Sequence, residues 1–141
     1  MQALPSDLRL ILAHKQKTSG RLRFLRLAHG TLAFTPLPKL SVLLDDAAPP
    51  RVAHHPAFIL KAAEDRLRLP AGSLEHEAEF RATVDTPDGP VAIHLLSLAT
   101  IDPPFAEAEA LGGKFAAITE LVGGMPAEMD LLRLAYSVIL G

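Results

Sequence analysis

The sequence contains no cysteine, no tryptophan and a single tyrosine, Tyr136. The absence of cysteine excludes disulfides, thiolate nucleophiles, iron–sulfur clusters and all-cysteine zinc sites. The shortage of aromatic rings leaves few platforms on which a sugar or an unpaired nucleobase can stack. A protein without cysteine is compatible with a reducing compartment, and we expect a cytoplasmic location.

Long apolar runs are absent as well. No stretch of 18 consecutive apolar residues exists, and the first residues lack the apolar segment and cleavage site of a secretory signal. We therefore expect no membrane segment. The 141 residues, of which 49% are apolar and 21% charged, suffice for one hydrophobic core, and we expect a single domain over residues 1–141.

Charge is distributed unevenly along the chain. Residues 1–40 carry seven basic residues and one acidic residue, whereas the remainder carries seven basic and fifteen acidic residues, so that net charges of +6 and −8 give the overall −2. We divide the sequence into a basic N-terminal part (1–44), a loop (45–54) and an acidic part (55–141). This asymmetry indicates that the basic part either packs on the acidic part or faces an acidic partner.

The basic part permits more than one structure. A short helix capped by Ser6 and ending before Gly20 is predicted from the spacing of its apolar residues, Leu8, Ile11 and Leu12. Two interpretations fit residues 21–35: a bulged strand that turns at His29–Gly30, or a helix that ends at Gly30. Residues 40–44 have the character of a short strand.

Residues 77–101 predict a β-hairpin. Glu77–Asp85 alternates between apolar and polar residues, residues 87–90 (Pro-Asp-Gly-Pro) form a turn sequence, and residues 91–101 return as an apolar strand. Because the return strand is apolar on both sides, it should lie inside the sheet. The predicted register places Val84 opposite Ile93, and it places the side chains of His76 and His94 on opposite faces.

Three helices are predicted in the acidic part. His55-Pro56 begins a helix at 56–68, with proline at the first helical position. A second helix begins after Asp102 and carries an apolar stripe (Leu111, Phe115, Ile118 and Val122), interrupted at Gly112–Gly113 by a kink or a close packing contact. A third begins at Pro126. The predicted fold class is α+β: a small antiparallel sheet centred on the hairpin at about 77–101, packed by a C-terminal helical hairpin and by the helix at about 56–68.

Histidines are the candidates for metal or catalytic chemistry. His54, His55 and His76 could supply imidazole ligands, but their spacing matches no metal-binding template, and a surface position or a helix entrance explains them more simply. For catalysis the candidates are His76, Glu77 and His94, with His94 as a partly buried general base. A core histidine is the simpler interpretation of His94. We predict no cofactor.

Two surfaces are candidates for recognition. The basic residues could follow a phosphate backbone, although pairing with the protein's own acids is the simpler expectation (Lys15, Lys17, Arg21, Arg23 and Arg26). The C-terminal helices offer an apolar interaction surface (Gly112, Gly113, Phe115, Met129, Leu132 and Tyr136).

The leading functional hypothesis is a non-enzymatic accessory or interaction protein that acts through a protein–protein surface or by self-association, for instance as a homodimer. A small metal-dependent enzyme or ligand-binding domain that uses the histidine and carboxylate cluster is the first alternative. Nucleic-acid binding through the basic segment is the second.

Overall fold

The computed structural model describes residues 4–44, 54–121 and 124–140. In chain order the elements are β1 (Leu8–Lys15), β2 (Leu22–Arg26), β3 (Leu32–Ala33), β4 (Val42–Leu43), α1 (Pro56–Leu67), β5 (Leu74–His76), β6 (Ala82–Thr86), β7 (Gly89–Leu98), α2 (Phe105–Ala110), β8 (Lys114–Ala116), a 3₁₀ turn (Ile118–Glu120) and α3 (Pro126–Leu140). A mixed sheet together with helices, one of them at the C-terminal end, confirms the α+β class.

The strands form one eight-stranded sheet in the order β4-β6-β7-β1-β2-β8, with β3 paired to β1 and β5 paired to β7. The central pair, β1 and β7, is parallel, and the other pairs are antiparallel. The sheet is therefore larger than the small antiparallel sheet predicted from the hairpin alone. It also joins strands from the basic and the acidic parts of the sequence.

Strand β1 replaces the predicted helix after Ser6, so that prediction is wrong. Every residue from Leu8 to His14 is buried. Alternate side chains of β1 enter two different cores, one on each face of the sheet. A strand covered on both faces reads as a continuous apolar run, and such a run has no periodicity that separates it from a buried helix.

The sheet has helices on both faces. On one face, α3 contributes Leu131, Leu132 and Ala135 to a core that contains Phe24 and Leu95. On the other face, α1 and α2 cover a second core. The two helices contribute four buried side chains to it: Ile59, Ala63, Leu67 and Ala108.

The hairpin is confirmed as β6 and β7, and β7 lies inside the sheet as predicted. Its register differs from the predicted one by two residues: Val84 pairs with Val91, and Thr86 pairs with Gly89 across a two-residue turn. Gly89 has a φ of 113°, which favours glycine at the end of the turn. A shift by two residues keeps each side chain on its predicted face of the sheet.

Helix α1 has the predicted entrance, because the His55 side chain caps it and Pro56 occupies its first turn. The predicted C-terminal helical hairpin does not form. Helix α2 ends at Ala110, and Gly112, with a φ of 74°, ends the helical path.

The chain beyond Gly112 continues as β8 on the edge of β2. A Cβ on Gly113 would lie 2.6 Å from Leu27 Cδ2 and 2.8 Å from the Arg26 carbonyl oxygen. The expected close contact at the glycine pair therefore exists, but it brings a strand rather than a helix against the sheet.

Residues 21–35 follow the strand interpretation, with β2 turning through the Leu27–Gly30 bridge into β3. The expected strand at 40–44 is present as β4. Residues 45–53 of the predicted loop lie outside the described residues. Within the described ranges, no helix has both the length and the apolar character needed to cross a bilayer.

Candidate functional site

The side chains of His76 and His94 are in direct contact. His76 Nε2 lies 2.9 Å from His94 Nδ1, and the ring centroids are 5.2 Å apart at an interplanar angle of 50°. The prediction that these two imidazoles lie on opposite faces of the sheet is therefore wrong.

An insertion between β5 and β6 brings the rings together. Both strands pair with the same edge of β7, His76 opposite Leu96 and Ala82 opposite Ile93. Six steps along the chain from residue 76 to residue 82 match only three steps along β7, so three residues bulge out. A register slip by an odd number of residues moves side chains to the other face. The bulge is closed by the Phe80 N–H, which donates to the Glu77 carbonyl oxygen at 3.1 Å.

Burial controls the charge of the two rings. Desolvation by burial, together with the charges of the neighbouring His76 and His54, lowers the pKa of His94 to about 4. The pKa of His76 is also lowered by burial, which the negative charge of Glu77 opposes. Near neutral pH both rings are therefore uncharged, and one of the two facing nitrogens donates the proton that the other accepts.

The other predicted members of this cluster each have a hydrogen-bond partner of their own. His54 Nε2 lies 3.2 Å from Asp7 Oδ1. His55 Nδ1 accepts the Ala57 N–H at 3.1 Å as the cap of α1. Glu77 Oε1 accepts the Ser97 hydroxyl at 2.6 Å, and Ser97 points to the face of β7 opposite His94.

The histidine contact therefore lacks the carboxylate that the sequence associated with it. In the part of the chain that the structure describes, no group of three or more His, Asp or Glu side chains could hold a metal ion.

The five basic residues do not form one patch. Lys15, Lys17 and Arg21 surround the turn between β1 and β2, where Arg23 Nη1 donates to Gln16 Oε1 at 3.1 Å. Arg26 lies at the other end of β2, five residues after Arg21 and about 17 Å from it at the rise of a strand. No ion pair joins any of the five to an acid among the described residues. Nucleic-acid binding remains a prediction.

The predicted apolar interaction surface is largely part of the fold. Leu132 is buried, Met129 packs against the same core, and Gly113 contacts β2. The Phe115 ring packs edge-on against Phe105 with centroids 6.2 Å apart. Of the remaining predicted residues, Gly112 and Tyr136 are exposed.

A different apolar surface surrounds α2. This helix has six residues, and only Ala108 is buried. Three large apolar side chains next to it or within it are exposed: Ile101 at 83%, Phe105 at 55% and Leu111 at 38%. The sequence pattern did not indicate this surface, because the predicted helix continued through Gly112–Gly113 and placed Leu111 on a buried stripe.

A groove of about 350 Å³ separates α2 from the end of α1. We refer to it as the α1/α2 groove; it is lined by Arg66, Leu67, Arg68, Ala106, Glu107, Ala110 and Leu111. Its walls combine small apolar side chains with two guanidinium groups and one carboxylate.

The charged groups of the α1/α2 groove differ in whether they have an interaction partner. The Arg66 guanidinium lies 4.6 Å from the centroid of the Phe34 ring, which holds it by a cation–π contact. Arg68 is exposed at the end of α1 and forms no ion pair with a described residue. Glu107 Oε2 is buried and has no hydrogen-bond partner among the described residues. A buried carboxylate oxygen of this kind is stabilised when a donor reaches it.

No protein-family model matches this sequence, and no curated protein is detectably similar to it.

Proposed function

We propose that this chain is a non-enzymatic interaction protein that binds an apolar, acidic segment of a partner protein in the α1/α2 groove. The observation that carries the proposal is the cluster of exposed apolar side chains, Ile101, Phe105 and Leu111, beside a groove of the size of one or two anchoring side chains.

The chemistry of the groove favours an acidic segment over a purely apolar one. Arg68 can pair with a carboxylate of the partner, and Ala106 and Ala110 leave room for an apolar side chain between the helices. Apolar anchors next to one charged contact are typical of helix and peptide recognition in grooves.

The histidine-based alternative has weaker support. The carboxylate predicted for this site, Glu77, accepts a hydrogen bond from Ser97, whose side chain points to the face of β7 opposite His94. His55 caps helix α1. An imidazole without an orienting carboxylate lacks half of a general-base arrangement.

Site-specific photo-crosslinking in the producing cells tests the proposal. A photoreactive residue at Leu111 is expected to give one discrete protein adduct whose crosslinked segment is apolar and acidic. A matched probe at Ser137, exposed on α3 across the sheet, should not give that adduct. Phe105→Ser and Arg68→Glu should each reduce the yield by about tenfold while leaving the circular dichroism spectrum unchanged.

Two outcomes would contradict the proposal. An adduct that forms equally with Phe105→Ser and Arg68→Glu would show that the groove does not make the contact. Sizing that reveals a concentration-dependent dimer, sensitive to the same substitutions, would identify a second copy of the chain as the occupant.

A further inference from the structure

A second cavity, of about 340 Å³, lies on the opposite face of the sheet from the α1/α2 groove. It opens between the turn that joins β2 to β3 and the first turns of α3. Its polar lining is Arg26, His29, Thr31 and Glu128, and the apolar lining includes Met125 and Met129. None of these residues contributes to the proposed function.

Glu128 presents one carboxylate oxygen to this cavity. The residue is only 7% exposed, and its Oε1 accepts both the Thr31 N–H at 2.7 Å and the Thr31 hydroxyl at 2.8 Å. The carboxylate packs directly on Gly30, where a Cβ would lie 2.6 Å from Oε1. Both hydrogen bonds from Thr31 use Oε1, and Glu128 lines the cavity, so Oε2 is the oxygen left to face it. A carboxylate oxygen in a cavity favours a cationic donor.

Arg26 also lines this cavity, and a second cation, Lys114, lies beside Arg26 outside the lining. Arg26 lies directly opposite Lys114 in the antiparallel pairing of β2 with β8, so both side chains project from the same face. Arg26 lines the Glu128 cavity and also an adjoining cleft that it shares with Lys114. Like charges directly opposite each other in a sheet repel, and a bound anion relieves that repulsion.

The opposite charges of this cavity do not neutralise each other. Neither Arg26 nor His29 forms an ion pair with Glu128. His29 Nε2 donates to the Leu32 carbonyl oxygen at 2.7 Å, which fixes the ring and leaves Nδ1 as an acceptor in the neutral form. The space between the carboxylate and the guanidinium is therefore bordered by acceptors at one end and by donors at the other.

From this arrangement we infer that the cavity binds a small zwitterion, namely a free amino acid with an apolar side chain. Its ammonium group donates to Glu128 Oε2, its carboxylate binds Arg26 and Lys114, and its side chain packs on Met125, Met129 and Leu132. The two methionines adapt to side chains of different shape, so the site should accept leucine and methionine alike.

Isothermal titration calorimetry with leucine tests this inference. Two leucine derivatives serve as probes, because one lacks the charge of the ammonium group and the other lacks the charge of the carboxylate. Leucine should bind with a Kd in the millimolar range or tighter, and N-acetyl-leucine and leucinamide should each bind about tenfold more weakly. Two substitutions should each weaken leucine binding by about tenfold: Glu128→Gln and Arg26→Gln. The first keeps an acceptor for Thr31, and the second changes an exposed side chain. Arg133→Gln, on the exposed side of α3, is the matched control and should leave the affinity unchanged.

The absence of leucine and methionine binding in the millimolar range would overturn the inference. Equal affinity for leucine and leucinamide would show that the anionic end is not recognised, and would therefore also refute a zwitterion site. If Glu128→Gln unfolds the protein, Arg26→Gln still decides, because an unchanged leucine affinity in that variant would remove the proposed carboxylate contact.

Discussion

Replacing Phe24 with alanine is expected to lower the free energy of unfolding by about 3–5 kcal/mol, the range for truncating a fully buried aromatic side chain. Phe24 is completely buried on β2 and contributes the largest of the fully buried side chains. Its partners across the two neighbouring strands are Ala13 and Ala116. Because both flanking side chains are already small and lie on paired strands, they cannot move in to fill the cavity that the substitution leaves.

Urea unfolding followed by circular dichroism measures this loss. Phe105→Ala is the matched control, since it removes the same ring from an exposed position and should cost about 1 kcal/mol or less. The m-values of both variants should equal that of the wild type, so that the midpoints report stability alone. If Phe24→Ala costs no more than Phe105→Ala, β2 does not belong to the buried sheet.

Acidification from pH 6.5 to pH 4 is expected to lower the free energy of unfolding by about 2 kcal/mol through His94 alone. Its pKa is about 4 in the folded protein and 6.5 in the unfolded chain. Between these values the unfolded chain binds more protons than the folded protein, so stability falls as the pH falls. The full difference corresponds to about 3.4 kcal/mol, which partial exposure of the ring to water reduces. Below about pH 4, His94 is protonated in both states, and the stability that its neutral ring maintains at higher pH is completely lost.

A comparison of stability against pH in three proteins isolates the contribution. His94→Gln should flatten the slope between pH 6.5 and pH 5, above the range in which most carboxylates titrate. His29→Gln, at an exposed ring outside the His76–His94 contact, is the matched control and should keep the part of the slope that His94 causes. A wild-type curve that is flat over this range, or a His94→Gln curve as steep as the wild type, would refute the role of the histidine pair.

The parts of the fold that could be predicted are those that local chemistry specifies. The entrance of α1 at His55-Pro56 follows from a cap and from the fixed φ of proline, and the turn between β6 and β7 follows from Pro-Asp-Gly. Helix α3 begins at a proline and keeps its apolar face over four turns. In each case the residues that determine the structure lie within a few positions of one another.

The errors have a common cause, which is burial by partners distant in sequence. Leu8–Lys15 becomes a strand because Gly89–Leu98 lies parallel to it, some eighty residues later. Lys114–Ala116 becomes a strand because β2 offers a free edge and Gly113 allows the backbone to approach it. Local propensity is weak compared with the pairing and burial that these contacts provide.

The candidate sites illustrate the same division. His76 and His94 were identified by residue type, but a three-residue bulge decided that their rings meet. Glu128 and His29 carry no sequence pattern that distinguishes them from a surface acid and a turn histidine. Only the packing of α3 against the β2–β3 turn brings them to one cavity.

The sequence by itself determined the α+β class, the hairpin, the two long helices and the exclusion of cysteine chemistry, because composition, caps and turns act over short distances. The tertiary structure alone decided the parallel centre of the sheet, the face on which each histidine lies, and the two spaces beside α2 and α3. These features depend on strand register and on contacts between remote segments. A shift by an odd number of residues reverses every side chain of a strand while leaving its local pattern unchanged.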